Sequence, residues 1–310
     1  MGDAAGIGPE IVLKSLADPA ILTKCSVTVI GDGEHLRRSA ASLGLAELFA
    51  SDRIRIEDLK NLPTTIEIGV DSAVTGKAAA EYIEKGVEIC LAGEIDAIAT
   101  APISKKAIAM GGYDFPGHTE FLAHLTNTSK FAMSFFAGQL RVVLLSTHLP
   151  LRNAIDLVRA EKLTELIRFS DKELSRLLKR QVRIAVAGLN PHASEHGMFG
   201  SEEADEISPA IDICRREFAI DVSGPFSPDT VFLRCSQGEF DAVIALYHDQ
   251  ATIPVKSISF NSGVNVTLGL PIIRTSVDHG TAYNIAGRGV AESSSMTAAI
   301  LLAAELASAS

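Results

Sequence analysis

Short apolar runs alternate with amphipathic stretches along most of the chain. Runs of β-branched and aliphatic residues predict strands at residues 27–30, 54–56, 97–100, 142–145, 182–187 and 243–247. A period near 3.6 predicts helices at residues 77–91, with Thr75 as the N-cap, and at 160–178, 202–218 and 295–307. Because most of the strands are apolar at consecutive positions, we expect a parallel sheet covered on both faces, in an α/β fold.

The first residues form a glycine-rich turn. Residues 2–10 read Gly-Asp-Ala-Ala-Gly-Ile-Gly-Pro-Glu, and Pro9 stands at a predicted first helical position. Such a turn normally follows a strand. We therefore expect a leading strand to be missing from the sequence as it stands.

Residues 27–36 resemble the opening of a dinucleotide-binding domain. They read Val-Thr-Val-Ile-Gly-Asp-Gly-Glu-His-Leu, and Leu36 occupies the position of the third glycine. A lone Gly-x-Gly is weak evidence for a phosphate cradle. A tight turn between a strand and a helix is the better interpretation, and we do not place a dinucleotide there.

Composition narrows the class of partner. The 310 residues are 47% hydrophobic, which allows a large core and excludes disorder, and the net charge is −10 at pH 7 without a basic stripe. We expect no nucleic-acid partner, and the absence of a secretory leader and of a long apolar run predicts a cytoplasmic protein without a membrane partner. The cysteines lack CxxC spacing and are interpreted as reduced thiols: Cys25, Cys90, Cys214 and Cys235.

Three histidines each follow a predicted buried strand. His148 comes after 142–145, His192 after 182–187 and His248 after 243–247. The carboxyl ends of strands line the binding crevice of open α/β sheets, so three imidazoles arriving there favour one divalent ion with open coordination positions. The alternative for each is an ordinary histidine near a loop. His35, His124 and His196 lack this placement and are interpreted as surface or packing residues.

Other polar residues surround these positions. Asp249 or Glu195 could orient a metal ligand. His118 and Thr119 precede an apolar helical stretch and could meet an anion at a helix N-terminus, with helix capping by Thr119 as the equal alternative. Three further residues punctuate or flank an apolar stretch and favour recognition of a phosphate or carboxylate: Lys256, Asn265 and Arg274.

Ordered blocks of sequence resemble one family across nearly the whole chain. They include residues 2–10, Pro-Gly-His-Thr-Glu at 116–120, Thr-His-Leu-Pro at 147–150, Leu-Asn-Pro-His-Ala at 189–193, Tyr-His-Asp-Gln at 247–250 and the segment 263–282. The chain resembles the 4-hydroxythreonine-4-phosphate dehydrogenase family, which includes the 4-phospho-D-threonate and 4-phospho-D-erythronate dehydrogenases. Ala4 departs from the usual proline and Asn284 from a common acidic residue.

The resemblance implies a fold and a site. The fold is like that of isocitrate and isopropylmalate dehydrogenases, with two α/β/α domains and a cleft, at residues 1–112 plus 276–310 and at 113–275. A homodimer shares a site in which one divalent metal (zinc, magnesium or cobalt) is bound by His148, His192 and His248. The substrate-binding residues implied are His118, Thr119, Lys256, Asn265 and Arg274. NAD or NADP contacts His279, Gly280, Thr281, Ala282 and Asn284.

The implied reaction is oxidation of 4-phosphooxy-L-threonine at its C3 hydroxyl and decarboxylation to 3-amino-2-oxopropyl phosphate, in pyridoxal phosphate biosynthesis. The metal lowers the pKa of the hydroxyl, and Asp249, Lys256 or His118 is the base. One alternative replaces the substrate with a 4-phospho-D-threonate or 4-phospho-D-erythronate. Another is an inactive metal-binding regulatory paralogue, against which the complete set of histidines and substrate residues argues.

Overall fold

The chain folds as a mixed α/β protein with two compact units. The computed structural model describes residues 1–259 and 262–309. The first unit comprises Met1–Ser129 and Leu270–Ser308, and the second comprises Lys130–Gly269. Compared with the predicted domains, residues 113–129 and 270–275 therefore belong with the first unit, and Ser310 lies outside the described residues. The reason is packing, because Phe121 and Leu122 share a hydrophobic cluster with Leu270 and Ile272.

The first unit contains two pairs of parallel strands. Strand β1 (Val27–Gly31) pairs with β2 (Ile54–Asp58), and β3 (Ala97–Thr100) pairs with β10 (Ile273–Ser276). The helices of this unit are α1 (Gly8–Leu16), α2 (Pro19–Lys24), α3 (Gly33–Ser42), α4 (Ala73–Leu91), α5 (Lys105–Met110), α6 (His118–Leu125) and α12 (Ser294–Ala309). A 3-10 turn spans Ala46–Ala50.

Side-chain caps fix several helix starts in this unit. The Asp32 carboxylate accepts a hydrogen bond from the His35 amide at 2.9 Å and begins α3. The Ser72 hydroxyl accepts from the Thr75 amide at 3.1 Å and begins α4. The prediction of Thr75 as the cap was therefore wrong, because a serine three residues earlier offers the same hydroxyl one helical turn sooner.

The second unit is built on a sheet of six strands within its described residues, in the order β9-β4-β5-β8-β6-β7. The strands are β4 (Ala132–Ala137), β5 (Leu140–Leu144), β6 (Ile184–Ala187), β7 (Val222–Phe226), β8 (Ala242–Ala245) and β9 (Val264–Leu268). Strands β5, β8, β6 and β7 are parallel, whereas β4 is antiparallel to both β5 and β9. The expectation of a wholly parallel sheet was wrong, because a tight turn at Gly138 makes β4 and β5 a hairpin.

Helices cover this sheet. They are α7 (Leu151–Asp156), α8 (Ala160–Leu178), α9 (Ser208–Phe218), α10 (Val231–Ser236) and α11 (His248–Ile258). The predicted range of α8 is confirmed, and its Leu163, Ile167 and Leu174 are fully buried. The helix predicted at 202–218 begins instead as a π-helical turn, Glu203–Ile207, before α9.

Two further expectations concern environment. Within the described residues, no helix combines the length and the apolar character needed to cross a bilayer. All four cysteines are free. Burial raises the pKa of Cys90 and of Cys214 to about 11, which keeps these thiols protonated at neutral pH.

Candidate active site

The three histidines proposed as metal ligands follow three neighbouring strands. Strand β8 pairs in parallel with β5 on one side and with β6 on the other. His148 follows β5, His192 follows β6, and His248 is the first residue of the helix after β8. Since parallel strands end at the same edge of a sheet, the three loops emerge side by side, as the sequence predicted.

Buried hydrogen bonds tie these loops to one another. The Gln250 side-chain oxygen accepts from the Leu246 amide at 2.7 Å, and its amide nitrogen donates to the Gly188 carbonyl at 2.8 Å. The Ser146 hydroxyl donates to the Leu246 carbonyl at 2.9 Å. Gln250 is 7% exposed and Ser146 is 4% exposed, so these bonds are shielded from water and fix where each histidine begins its loop.

His148 and His248 lie next to each other. Their ring centroids are 5.6 Å apart, and the Nδ1 atom of His248 is 2.7 Å from Oδ1 of Asp249. A carboxylate on Nδ1 leaves Nε2 as the lone-pair donor, which is the usual arrangement of a metal-bound imidazole. Asp249 therefore contacts the imidazole of a proposed metal ligand, as its predicted orienting role requires. Glu195, the other residue predicted for this role, lies on the loop of His192.

His192 does not join this pair within the chain. Its Nδ1 atom is 4.0 Å from Oδ2 of Asp229, and its ring centroid is 6.4 Å from that of Phe199. Among residues 1–259 and 262–309, no three His, Cys, Asp or Glu side chains are grouped closely enough to hold a metal ion. One chain therefore brings together two of the three predicted ligands.

The loop that carries His192 has an unusual backbone. Residues 192–196 all have positive φ, from 43° at Glu195 to 71° at Ser194. L-residues pay about 1–2 kcal/mol each in this conformation. The Glu203 carboxylate holds the start of the loop by accepting from the amides of Leu189 and Asn190, both at 2.7 Å.

Lys256 and Asn265 also lie in the second unit. Lys256 follows Asp249 by seven residues on α11, which puts both on one face of that helix. Both side chains are exposed. Asn265 is on β9, opposite Phe135 of β4, and is 9% exposed.

Arg274 is a buried cation in the first unit. It lies on β10 and is 3% exposed, and its Nε and Nη2 atoms donate to the Thr100 hydroxyl at 3.1 and 2.8 Å. Burial lowers the pKa of Arg274 to about 10, and the negative charge of Glu120 acts in the opposite direction. A guanidinium held this way remains charged at neutral pH and can bind an anion strongly.

His118 is near Arg274 and is kept neutral. Burial and then the charge of Arg274 hold the pKa of His118 well below its usual value of 6.5. Its Nε2 atom is buried and has no hydrogen-bond partner within the described part of the chain. Because buried polar atoms are nearly always satisfied, this nitrogen is a candidate contact for a bound molecule.

Thr119 is the second residue of α6, whose N-cap is Gly117. The alternative of a capping role for Thr119 was therefore wrong, and its amide belongs to the helical first turn that lacks backbone acceptors. A side chain at Gly117 would lie 3.6 Å from Cε of Lys105 and 3.3 Å from Oε2 of Glu120. Glycine thus leaves space for these charged groups beside His118.

The sequence analysis did not identify Lys105 and Thr100 as candidate site residues. Lys105 lowers the pKa of His118 along with Arg274, and Thr100 fixes the Arg274 guanidinium. Thr100 is the last residue of β3 and Lys105 begins α5 shortly after it, so both lie near the carboxyl end of a strand, the position that identified the histidines. The signal was present, but the two lysines at 105–106 looked like ordinary surface residues.

The segment predicted to contact the nucleotide packs on the glycine-rich turn at the start of the chain. The Ile7 amide donates to the Thr281 carbonyl at 2.9 Å, and the Tyr283 hydroxyl donates to the Asp3 carboxylate at 2.6 Å. Ala282 has φ 43°. The other residues predicted to contact the nucleotide belong to the same segment, residues 279–284: His279, Gly280 and Asn284.

A cavity of 450 Å³ borders the glycine-rich turn at the start of the chain. Its wall includes Arg38 and Ser39 of α3, Thr64, and the loop residues Arg288 and Gly289. His35 also lines it, is 8% exposed, and has its pKa lowered by burial and by Arg38. The wall also includes the Glu10 carboxylate, which accepts from Lys14 and from the amides of Gly289 and Ala291. The two guanidinium groups and several hydroxyls are the donors available to a polar, anionic ligand.

The Gly-Asp-Gly turn after β1 is filled by carboxylates. The Gly33 amide donates to Asp58 at 2.8 Å, and Asp32 caps the helix. Two negative groups at this helix N-terminus take the amides that a phosphate would need. The interpretation of this motif as a simple turn is confirmed.

Comparison with known proteins decides the family. Residues 23–303 match the family described as "Pyridoxal phosphate biosynthetic protein PdxA". The chain belongs to the PdxA family. It is 45% identical to a protein from Trichlorobacter lovleyi named "4-hydroxythreonine-4-phosphate dehydrogenase", over 99% of this chain and 96% of that one.

Other PdxA relatives carry a second name. The chain is 44% identical to the "D-threonate 4-phosphate dehydrogenase" of Cupriavidus necator, again over 99% and 96% of the two chains. A crystal structure of 4-hydroxythreonine-4-phosphate dehydrogenase from Klebsiella pneumoniae matches with a TM-score of 0.90 and 41% identity, covering 99% of this chain and 96% of that chain. The resemblance seen in the sequence and the α/β fold are therefore confirmed, and the chain is a dehydrogenase of this family that acts on a CH–OH group.

Proposed function

We propose that this PdxA-family chain oxidises 4-phosphooxy-L-threonine at its C3 hydroxyl, with decarboxylation to 3-amino-2-oxopropyl phosphate, in pyridoxal phosphate biosynthesis. The observation that carries the proposal is the buried Arg274 guanidinium beside a neutral His118 whose Nε2 lacks a partner. A phosphorylated substrate would place its negative charge against this guanidinium. Relatives named for this activity support it at 45% identity.

The phosphate is proposed to lie at the start of α6. Arg274 would supply a planar, charged donor, and the amide and hydroxyl of Thr119 would add neutral donors at a helix N-terminus. Lys105, the first residue of α5, would add a second positive charge. Lys256 and Asn265 of the second unit remain the other proposed substrate contacts.

Imidazole donors favour a divalent transition metal such as zinc or cobalt, with magnesium less suited to nitrogen ligands. His148 and His248 fit such an ion, because their rings are adjacent and Asp249 occupies Nδ1 of His248. The described chain groups only these two, so we propose that the third ligand is His192 of a second subunit. A bound metal would stabilise negative charge on the substrate oxygen, and NAD or NADP would accept the hydride.

Exposed apolar side chains support a homodimer with a shared site. They follow each of the three histidines in the second unit, at Leu149 and Leu151, at Met198 and Phe199, and at Ile253 and Ile258. Their exposure ranges from 44% to 71%. Large apolar side chains clustered around polar loops are typical of a surface that another protein covers.

The proton acceptor is one of three residues. His118 is neutral and has a buried, unpartnered nitrogen, so it can accept a proton or a hydrogen bond. Asp249 is already bonded to His248, which suits it better to orienting that ring. Lys256 is exposed and would act only in a form that has lost its proton. We favour His118 on these grounds.

The nucleotide is proposed to bind along residues 279–284, through His279, Gly280, Thr281, Ala282 and Asn284. The 450 Å³ cavity with Arg38 and Arg288 would then receive the adenosine half. Two guanidinium groups would bind a 2′-phosphate well, and so favour NADP over NAD.

A second candidate substrate is 4-phospho-D-threonate, or 4-phospho-D-erythronate, which carries a hydroxyl at C2 in place of the amine. Relatives named D-threonate 4-phosphate dehydrogenase, at 44% identity, support it. An inactive metal-binding regulatory paralogue is the alternative of another class. The complete set of predicted histidines together with Lys256, Asn265 and Arg274 argues against it.

Purified protein assayed with each phosphorylated acid, each nucleotide and each metal separates these possibilities. We expect NADH or NADPH to form with 4-phosphooxy-L-threonine, and chelation of the metal to stop it. Turnover of the D-threonate ester alone would favour the second substrate. Failure of both acids, with intact nucleotide binding, would contradict the proposed enzyme.

A further inference from the structure

Tyr283 belongs to the segment proposed to bind the nucleotide, but its hydroxyl meets a buried carboxylate. The Tyr283 hydroxyl donates to Oδ2 of Asp3 at 2.6 Å, and Asp3 is fully buried. Other residues of the segment are exposed instead, namely His279, Gly280 and Asn284. The phenol oxygen is therefore bonded within the protein, next to residues that are free to meet a ligand.

Asp3 is itself fixed on two sides. Its Oδ1 atom accepts from the Ala5 amide at 2.9 Å, and its own amide donates to the Pro102 carbonyl, just after β3, at 2.9 Å. Burial and then the bond to Asp3 raise the pKa of Tyr283, so the phenol keeps its proton and remains the donor. The partner of this phenol is thus anchored to the glycine-rich turn and to the end of β3.

Asp71, in the loop before α4, lies close to the same hydroxyl. Hydrogen bonding with Ser104 is the main cause that lowers the pKa of Asp71, and burial opposes it. Smaller contributions come from hydrogen bonds with Lys106 and Tyr283. The Ser104 hydroxyl donates to Asp71 and also caps α5 by accepting from the Ala107 amide. The Tyr283 hydroxyl therefore lies where the nucleotide segment, the glycine-rich turn and the start of α5 meet.

The backbone beside Tyr283 has a conformation that needs support. Ala282 has φ 43°, in the left-handed region that is unfavourable for a residue with a Cβ atom. Neighbouring chain approaches closely on two sides, since a Cβ at Gly6 would lie 2.9 Å from the Thr281 carbonyl oxygen, and one at Gly69 would lie 2.8 Å from that of Tyr283. Strained backbone persists only where its surroundings hold it, and the Tyr283 side chain is one such contact.

We propose that Tyr283 is a positioning residue for the nucleotide. Its bond to Asp3 holds the amides and exposed side chains of residues 279–284 in the arrangement that binds the cofactor, and the phenol acts through this segment rather than by touching the ligand. This inference rests on the proposed binding of NAD or NADP along residues 279–284.

The proposal predicts different effects at the two ends of the site. The bonds from Ser104 and Lys106 to Asp71 do not depend on the Tyr283 hydroxyl, and neither do those of Arg274. Loss of the phenol oxygen should therefore weaken nucleotide binding and leave binding of the phosphorylated substrate as it is. A general loss of stability would weaken both.

The test is Tyr283→Phe, which removes the hydroxyl and keeps the ring. We expect the Kd for NADH or NADPH, measured by isothermal titration calorimetry, to rise about 10-fold, the effect of losing one hydrogen bond to a charged group. The KM for the nucleotide should rise in parallel. The KM for the phosphorylated acid, and kcat at saturating nucleotide, should stay within about twofold of the unsubstituted values.

The matched control is Tyr113→Phe. The Tyr113 hydroxyl donates to the Glu84 carboxylate at 3.2 Å in the same unit, so this variant loses the same kind of bond away from residues 279–284. Its Kd for the nucleotide should equal that of the unsubstituted protein.

A second variant shows whether Tyr283 acts through Asp3. An amide has one acceptor oxygen, so Asp3→Asn cannot accept from both the Ala5 amide and the Tyr283 hydroxyl, and it should also raise the Kd for the nucleotide. The double variant should bind no more weakly than the weaker of the two single variants, because both changes remove the same bond.

Three results would overturn the proposal: equal Kd values for Tyr283→Phe and the control, equal rises in KM for nucleotide and acid, or additive effects in the double variant. If Tyr283→Phe does not fold, Asp3→Asn is measured alone, and an unchanged Kd rejects the role. An unsubstituted protein that binds neither NADH nor NADPH would instead contradict the proposed function itself. Normal binding that Tyr283→Phe leaves unchanged rejects only the role of Tyr283.

Discussion

At the scale of single residues, the most informative group is Arg274. Arg274 is a buried cation whose Nε and Nη2 atoms donate to the Thr100 hydroxyl. Its charge also keeps His118 neutral. A bound phosphate would offset the positive charge of Arg274. Substrate binding and the protonation of His118 would therefore be coupled.

Replacing Arg274 with Ala should raise KM for the phosphorylated substrate by about 10- to 100-fold, since a charge-assisted hydrogen bond contributes ~1.5–3 kcal/mol. Steady-state kinetics measure the effect. The control is Arg216→Ala, which removes an exposed arginine on α9. Equal KM values for Arg274→Ala and the control would contradict the proposed phosphate contact.

The pKa of His118 gives a second prediction at this scale. The pKa of His118 in the folded state lies below the unfolded value near 6.5. The contribution of His118 to stability is therefore fully present above pH 6.5 and decreases as the pH falls below 6.5, because the unfolded chain then binds the proton more readily. NMR should show the His118 imidazole neutral at pH 6. Arg274→Ala should move this pKa upward, because the cation that opposes protonation is gone. A His118 resonance that titrates near 6.5 in both proteins would contradict the assignment.

At the scale of elements, the amphipathic pattern predicted helix α8 correctly. The 3.6-residue period over α8 gave its bounds, because one face of that helix is buried and the other is wet. Strands β4, β7, β9 and β10 were not predicted. Strands β4 and β9 mix polar and apolar residues, as in Ala132–Ala137, and they pair with each other in antiparallel orientation.

The candidate site was predictable to the extent that it depends on strand ends. His148, His192 and His248 follow strands that their apolar runs reveal, whereas Gln250 acts through hydrogen bonds that include one to a residue far away in the chain. No local pattern encodes a contact across 62 positions, such as that between Gln250 and Gly188. Such residues need the tertiary structure.

Gln250 provides a prediction for the elements it joins. Gln250→Leu should lower the free energy of unfolding by ~2–4 kcal/mol, because the Leu246 amide and the Gly188 carbonyl lose their buried partner. It should also weaken Co²⁺ binding, since the histidine loops are no longer tied together. Urea unfolding and metal titration measure the two effects. Ser257→Ala, an exposed change on the same helix, serves as the control, and a Gln250→Leu protein equal to it would contradict the role.

At the scale of the whole molecule, the described chain holds two of three proposed ligands next to one another. The third, His192, is presented on a loop of positive φ angles together with the exposed Met198 and Phe199. In the proposed twofold dimer, this loop would reach the site of the other subunit, and its own site would receive the reciprocal loop.

Subunit complementation tests this directly. His148→Ala and His192→Ala are each expected to lack metal-dependent activity as homodimers. In a mixed dimer, the subunit with His192→Ala keeps His148 and His248 and receives His192 from its partner, so one of the two sites is complete. Random exchange of subunits should restore about a quarter of the activity of the unsubstituted protein. If all three ligands came from one chain, every mixed site would lack a histidine, and denaturing and refolding the two variants together would restore nothing.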